Sequence, residues 1–304
     1  MCFRKLLAAA RVYEVDALIL GGDVSGKSVV PVFPVSGGYS FGAGPSAPIV
    51  VAEGTLEVSI RNAEDLGTYC IRMDAAESER LQKDDEYVRT LLKQAATNRL
   101  KQWLELAEER LSGTRVKCYV TGGNDDADEI LGPLKEASGD HVVNCDDEVV
   151  ALPDGRELVS LGYSNPTPWK TPREIPEAQL REHIDRLARR LETPRNAVFN
   201  LHVPPIGSGL DRCPQLDTST DPPTVVRISG EVMMGDAGSS AVRAALEEFQ
   251  PAVSLHGHIH EARAATRIGR TLALNPGSEY RDGVLRGVIV TVSNGQIHHQ
   301  FTSG

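Results

Sequence analysis

The sequence predicts an α/β fold, read as a single domain over residues 1–304. Three observations lead there. Short apolar runs of strand length recur along the chain, and several end in Gly, Asp, Asn or His. Amphipathic helical stretches separate many of them. No internal repeat, low-complexity tract or linker divides the chain. With 40% hydrophobic and 24% charged residues in 304, the composition is that of a globular protein with a sizeable core.

The net charge of -10, from 32 basic and 42 acidic residues, disfavours a surface built for nucleic acid or an anionic membrane. An anionic ligand would then need a local cation. The five cysteines, Cys2, Cys70, Cys118, Cys145 and Cys213, are scattered and without a Cys-x-x-Cys pair, as expected of reduced thiols in a cytoplasmic protein. Leu6 to Ala10 is too short for a secretory apolar core, and no apolar run reaches membrane-spanning length.

Phe3, Leu6, Leu7 and Ala10 fall on one helical face, so a helix is expected over 3–14. The apolar run after Asp16 reads as a buried parallel strand delivering Asp23 at its C-terminal end. Residues 28–75, rich in Gly, Pro, Ser and Val with alternating pieces at 47–52, 56–61 and 69–73, read as a β-hairpin insertion. Residues 77–111 are helical, charged and long enough to contain a break.

A strand over 114–120 empties into Gly122-Gly123-Asn124-Asp125. Then come a strand at 141–144, a hairpin over 148–164, a helix over 174–192 and a strand over 196–201 that ends in His202. An irregular segment at 206–225 precedes a helix over 237–249 capped by Asp236. Strands near 271–274, 287–292 and 296–301 close the chain, with the turn Asn275-Pro276-Gly277-Ser278 between two of them.

The densest chemistry is Leu255-His256-Gly257-His258-Ile259-His260, after the apolar run from Pro251. Three imidazoles at alternate positions project to one side if the backbone stays extended, which is a metal-binding arrangement. His258 and His260 are the ligand candidates, and His256 suits a hydrogen-bonded supporting group. His298 and His299 read as surface groups, His141 and His183 as structural. Asp23, Asn124, His202 and the His258/His260 pair all follow strand ends, where α/β sheets present functional groups. Together they describe a mixed oxygen and nitrogen site for a divalent metal such as Mn, Fe or Zn.

Gly-Gly-Asp23, Gly-Gly-Asn124-Asp125, His202 and Gly257-His258-Ile259-His260, in that order at strand ends, resemble the calcineurin-like metallophosphoesterases, and Asn275-Pro276-Gly277-Ser278 fits as well. The resemblance runs from Asp16 to about Phe301. It implies a two-layer mixed β-sheet sandwich flanked by helices and a pair of divalent ions bridged by a carboxylate. By position, Asp23 would be the bridge, Asn124, His202 and His258 would complete one ion, and His260 would serve the other. The implied activity is hydrolysis of a phosphomonoester, phosphodiester or phosphoanhydride in a small phosphorylated substrate, by metal-activated hydroxide across ions about 3.5–4 Å apart.

Two departures stand out. No Asp-x-His strand precedes Asp23, although the family opens with one. Two readings follow: the chain is a truncated form of a two-metal enzyme, or it is a metal-poor scaffold that binds one metal, a nucleotide or a protein partner. Asp125 replaces the histidine found after the Asn in many members. With an ordinary pKa of about 3.9 it is a poor acid, so substrates with good leaving groups are expected. Asp125 could instead orient His202 or His258 as an acceptor. Lys27 and Arg212 are the candidates for contacting substrate phosphate oxygens.

Overall fold

The computed structural model describes residues 1–42, 48–293 and 295–304. The chain opens with α1 (Cys2–Val12) and β1 (Ala17–Gly21). An insertion follows, comprising β2 (Ser28–Val35), β3 (Gly38–Phe41), β4 (Ile49–Val51), α2 (Glu53–Asp65) and β5 (Thr68–Arg72). Next come α3 (Ala75–Leu81), α4 (Asp85–Leu111), β6 (Lys117–Thr121), α5 (Gly132–Lys135), β7 (Val142–Asn144), β8 (Glu148–Ala151), β9 (Glu157–Leu161), α6 (Glu177–Ala188) and β10 (Val198–Leu201). Six short strands occupy the following loop: β11 (Arg212–Pro214), β12 (Leu216–Asp217), β13 (Thr224–Val225), β14 (Arg227–Ile228), β15 (Glu231–Val232) and β16 (Met234–Asp236). The last elements are α7 (Ser240–Phe249), β17 (Val253–Leu255), β18 (Ala264–Ile268), β19 (Thr271–Asn275), β20 (Arg286–Ser293) and β21 (Gln296–Ser303).

These form the expected α+β sandwich. One layer holds the parallel sheet β1-β6-β7, and the other the six-stranded mixed sheet β18-β19-β17-β10-β9-β8. Tyr119, Leu158, Val198, Val253, Leu272 and Leu274 fill the space between the layers, joined by Val288, Val290 and Phe301 of the β20–β21 hairpin. Alternation along the strands supplies the outer faces. Cys118 and Val120 flank Tyr119 and point the other way, onto Phe3, Leu7, Leu100 and Leu104 of α1 and α4. Phe199 and Leu201 likewise meet Leu180, Ile184, Val242 and Leu246 of α6 and α7. Each Leu or Phe fully buried there contributes about 1.5–3 kcal/mol. Strands covered on both faces explain why the sequence shows them as short continuous apolar runs.

Several local expectations are corrected. The insertion is a four-stranded sheet of order β4-β3-β2-β5 with a helix, not a hairpin alone. Its piece at 56–61 lies inside α2: Leu56 and Ile60 share a helical face in the insertion's small core, while Val58 is 59% exposed. Apolar residues at i, i+2 and i+4 satisfy both periods, so alternation alone could not distinguish helix from strand. Ala47, in the piece at 47–52, lies outside the described residues. The long helical stretch breaks between Leu81 and Asp85, and the Asp84 side chain caps α4 by accepting from Tyr87 N–H at 2.9 Å. Helix α7 is capped by Ser239, whose Oγ accepts from Val242 N–H at 3.1 Å, whereas Asp236 ends β16. The segment at 206–225 carries short ladders, and β18 is a strand that the sequence reading does not include. Among the described residues no helix is long and apolar enough to cross a membrane.

Candidate metal centre

Both sheets aim the C-terminal ends of parallel strands at one place. Gly21 at the end of β1 lies opposite Thr121 at the end of β6, so the Gly22-Asp23 and Gly122-Gly123-Asn124 loops emerge side by side. In the facing sheet, β10 and β17 pair with Asn200 opposite Leu255 and lead into His202 and His258. The loops interlock through glycine. Gly22 has φ +117°, and a Cβ on it would lie 2.4 Å from His202 Nδ1 and 2.8 Å from Gly123 Cα. A Cβ on Gly123 would lie 2.2 Å from Asp23 Oδ1. Asp23 and His258 themselves hold left-handed backbones, at φ 52° and 63°, which cost a non-glycine residue about 1–2 kcal/mol each. Surrounding structure therefore enforces these two side-chain positions.

The Asn124 amide oxygen lies at the centre of the cluster. It is 3.0 Å from His202 Nε2 and 2.8 Å from His258 Nδ1, and His202 Nε2 is 3.4 Å from Asp23 Oδ2. His202 Nδ1–H donates to the Gly21 carbonyl at 2.8 Å, which fixes its tautomer. In a neutral His202, Nε2 would then present a lone pair to two acceptor oxygens. That arrangement requires a proton or a metal ion between them. Burial disfavours charge on His202, but the Asp23 carboxylate outweighs it and raises the imidazole pKa. Burial likewise pushes Asp23 upward, yet His202 beside it holds the carboxyl well below the usual range. Burial, then repulsion from His202, pushes His258 down to about 3, so it is neutral and able to donate a lone pair.

Separations of 2.8–3.4 Å between donor atoms match neighbouring ligands on one ion with bonds of about 2.0–2.2 Å. The residues present therefore fit a divalent cation. Among the described residues, no three His, Cys, Asp or Glu side chains alone form such a cluster; Asn124 Oδ1 is the atom that joins them.

The alternating histidines do not share a side. The strand ends at Leu255, and His256 turns into the core at 5% exposure. Its Nδ1–H donates to the Leu201 carbonyl at 2.8 Å, while the Ser254 hydroxyl donates to Nε2 at 2.8 Å. Burial lowers its pKa from 6.5 to about 4. Between those values the unfolded chain binds a proton that the folded chain refuses, so stability falls as pH falls. Urea unfolding at pH 7 and pH 4.5 is expected to show a His256 share of the loss of up to about 3 kcal/mol, removed in His256→Gln.

The remaining candidates divide. Lys27 forms an ion pair with Asp125, whose backbone N–H donates to Asp23 Oδ1 at 3.2 Å. Asp125 thus holds Lys27 rather than orienting His202 or His258. Burial, then the Asp23 charge, raises the Asp125 pKa against the opposing pull of Lys27. His260 stacks edge-on against Tyr280, with centroids 5.8 Å apart, and lines a cleft of about 270 Å³ with Arg263, Ser278 and Arg286. It makes no hydrogen bond to the Asn124 cluster among the described residues. Arg212 pairs with Asp236 at 3.4 Å on the neighbouring short strand, with its side chain 52% exposed.

Four supporting residues escaped the sequence reading. Asp126, fully buried, accepts from Val24 N–H, Ser25 N–H and Gly123 N–H at 2.9, 2.8 and 2.7 Å, and from the Ser25 hydroxyl. It fastens the two glycine loops together. Arg173, 2% exposed, pairs with Asp146 at 2.9 Å, and its backbone N–H donates to the Asn124 carbonyl at 3.0 Å. Thr171 accepts from Asn124 Nδ2 at 2.8 Å, and Glu174 in turn accepts from Thr171. The only sequence signal for these was proximity to Asn124 for Asp126 and a polar loop after β9 for the others.

No family model matches the chain. It is 26% identical over 156 residues to the uncharacterized protein MJ1162 of Methanocaldococcus jannaschii, a match covering 51% of this chain and 61% of that protein. The chain thus spans about three-fifths of that relative's length. Among solved structures, one aligns with a TM-score of 0.56 and 17% identity over 98% of this chain and 92% of the other. A second, TT1561 of Thermus thermophilus, gives 0.42 and 11% over 67% of this chain and 79% of that one. The first of these shows a shared overall fold.

Proposed function

We propose that this chain is a metal-dependent phosphohydrolase of the calcineurin-like metallophosphoesterase type, acting on a phosphoester or phosphoanhydride of a small molecule. The observation that carries the reading is the convergence of Asp23 Oδ2, Asn124 Oδ1, His202 Nε2 and His258 Nδ1 from four strand ends. Those four residues would hold a divalent ion, Mn, Fe or Zn, and His260 would serve a second. Ions in such a site supply Lewis acidity to the phosphoryl oxygens and a hydroxide nucleophile at neutral pH.

The chain's own groups do the rest. Asp23 supplies the one carboxylate, so neutral imidazole and amide donors leave the site cationic and receptive to phosphate within an acidic protein. Lys27, with its side chain 49% exposed, offers an ammonium to phosphate oxygens, and Asp125 holds it beside Asp23. An Asp–Lys pair is a weaker proton donor than an imidazolium, so leaving groups that depart unassisted are favoured. The test is Mn-dependent hydrolysis of an aryl and an alkyl phosphodiester by the full chain. Aryl turnover at least about tenfold faster is expected, and equal rates would remove the leaving-group argument.

Metal uptake is expected to compete with protonation of His202 Nε2, which the Asp23 carboxylate favours. Affinity should therefore weaken as pH falls. Calorimetric Mn titration across a range of pH reads this, and an affinity unchanged by pH would remove His202 from the ligand set. A scaffold that binds metal without turnover is the second reading, favoured by the lack, among the described residues, of any hydrogen bond joining His260 to the Asn124 cluster. Mn uptake with no hydrolysis of either ester would select it.

A further inference from the structure

The orientation of the Asn124 amide is set from outside the cluster. The Glu174 carboxylate accepts from Thr167 N–H at 2.9 Å, from the Thr167 hydroxyl at 2.5 Å, and from Thr171 N–H and the Thr171 hydroxyl at 2.8 and 2.7 Å. An ionised carboxylate only accepts, so the Thr171 hydroxyl proton is committed to Glu174. Thr171 Oγ1 can then meet Asn124 only as an acceptor, and Asn124 Nδ2 donates to it at 2.8 Å. With the amide nitrogen engaged there, Oδ1 must face His202 and His258.

We propose that Thr171 and Glu174 are positioning residues whose hydrogen-bond polarity fixes which end of the Asn124 amide faces the metal site. The proposal rests on reading Asn124 as a ligand. The two ends of a carboxamide are nearly identical in shape, so packing cannot choose between them, but their chemistry is opposite. Oδ1 offers lone pairs to a cation, whereas a flipped amide would present two N–H bonds and no lone pair. Glu174 is the one member of the series with a fixed polarity, and it propagates that polarity through Thr171 to Asn124. Partners that orient a ligand in this way commonly change metal affinity about 10–100-fold when removed.

The test compares the full chain with Thr171→Ser, which keeps the hydroxyl, and Thr171→Val, which keeps the shape and removes the acceptor. Thr171→Ala replaces the valine variant if that one fails to fold. Two readouts are taken: Mn affinity by calorimetry, and the Asn124 side-chain amide proton resonances of the metal-free protein, assigned by their loss in Asn124→Ala. Thr171→Val is expected to bind Mn at least about tenfold more weakly and to shift the Asn124 resonances, with Thr171→Ser close to the unaltered protein on both. Unchanged affinity and unchanged resonances in Thr171→Val would overturn the proposal. If the unaltered protein takes up no Mn, the ligand reading of Asn124 falls by itself. The resonances then still decide whether Thr171 holds the amide, and no shift in Thr171→Val overturns that too.

Discussion

Asp23→Asn is expected to lower Mn-dependent hydrolysis of an aryl phosphodiester by about a thousandfold or more, equivalent to about 4 kcal/mol of transition-state stabilisation. The substitution conserves shape and can keep the hydrogen bond from Asp125 N–H, because an amide oxygen still accepts at the same place. What it removes is the only carboxylate in the Asn124 cluster. Two consequences follow from that charge. The cation in the site loses its anionic ligand, and His202, whose raised pKa depends on Asp23, returns toward the neutral form that burial favours. Stability should change far less than activity, since His202 can shed its proton instead of remaining as an unpaired buried charge. Initial rates with added Mn, together with a thermal melt, separate the two. Retention of activity within about tenfold of the unaltered protein would place the reacting centre away from Asp23.

Asp126→Ala is expected to destabilise the fold by about 4 kcal/mol. The carboxylate is fully buried and receives three backbone N–H groups, from Val24, Ser25 and Gly123. Each buried donor left unpaired costs about 1–3 kcal/mol, and partial entry of water lowers the sum. Two of these donors belong to the loop after β1 and one to the loop after β6, so Asp126 ties together the loops that carry Asp23 and Asn124. Urea unfolding measures the loss, and hydrolysis under stabilising conditions should also fall because the two side chains are no longer held in register. A loss below about 1 kcal/mol would mean that the glycine interlock alone holds the loops.

Much of the site was legible because its information is local. An apolar run of four or five residues ending in Gly-Gly-Asp or Gly-Gly-Asn states both the strand and the candidate ligand at its end, and the run into His202 does the same. The glycines also carried a meaning that only the structure supplied: at Gly22 and Gly123 a Cβ would collide with a residue more than 90 positions away or with the backbone across the gap. The histidine stretch was legible in kind but not in geometry. Alternation places three rings on one side only while the backbone is extended, and the left-handed turn at His258 ends that condition.

By itself, then, the sequence determined the α/β class, most of the strands that line the cluster and the residues at their ends, because hydrophobic period and glycine punctuation act over a few residues; the two-layer sandwich came from the family resemblance. Only the tertiary structure decided which of those residues meet. It joined Lys27 to Asp125, sent Arg212 to Asp236, turned His256 into the core, and brought Thr171 and Glu174 to Asn124 across 47 residues of chain. Hydrogen bonds between loops depend on how two sheets pack face to face, and no local period records that packing.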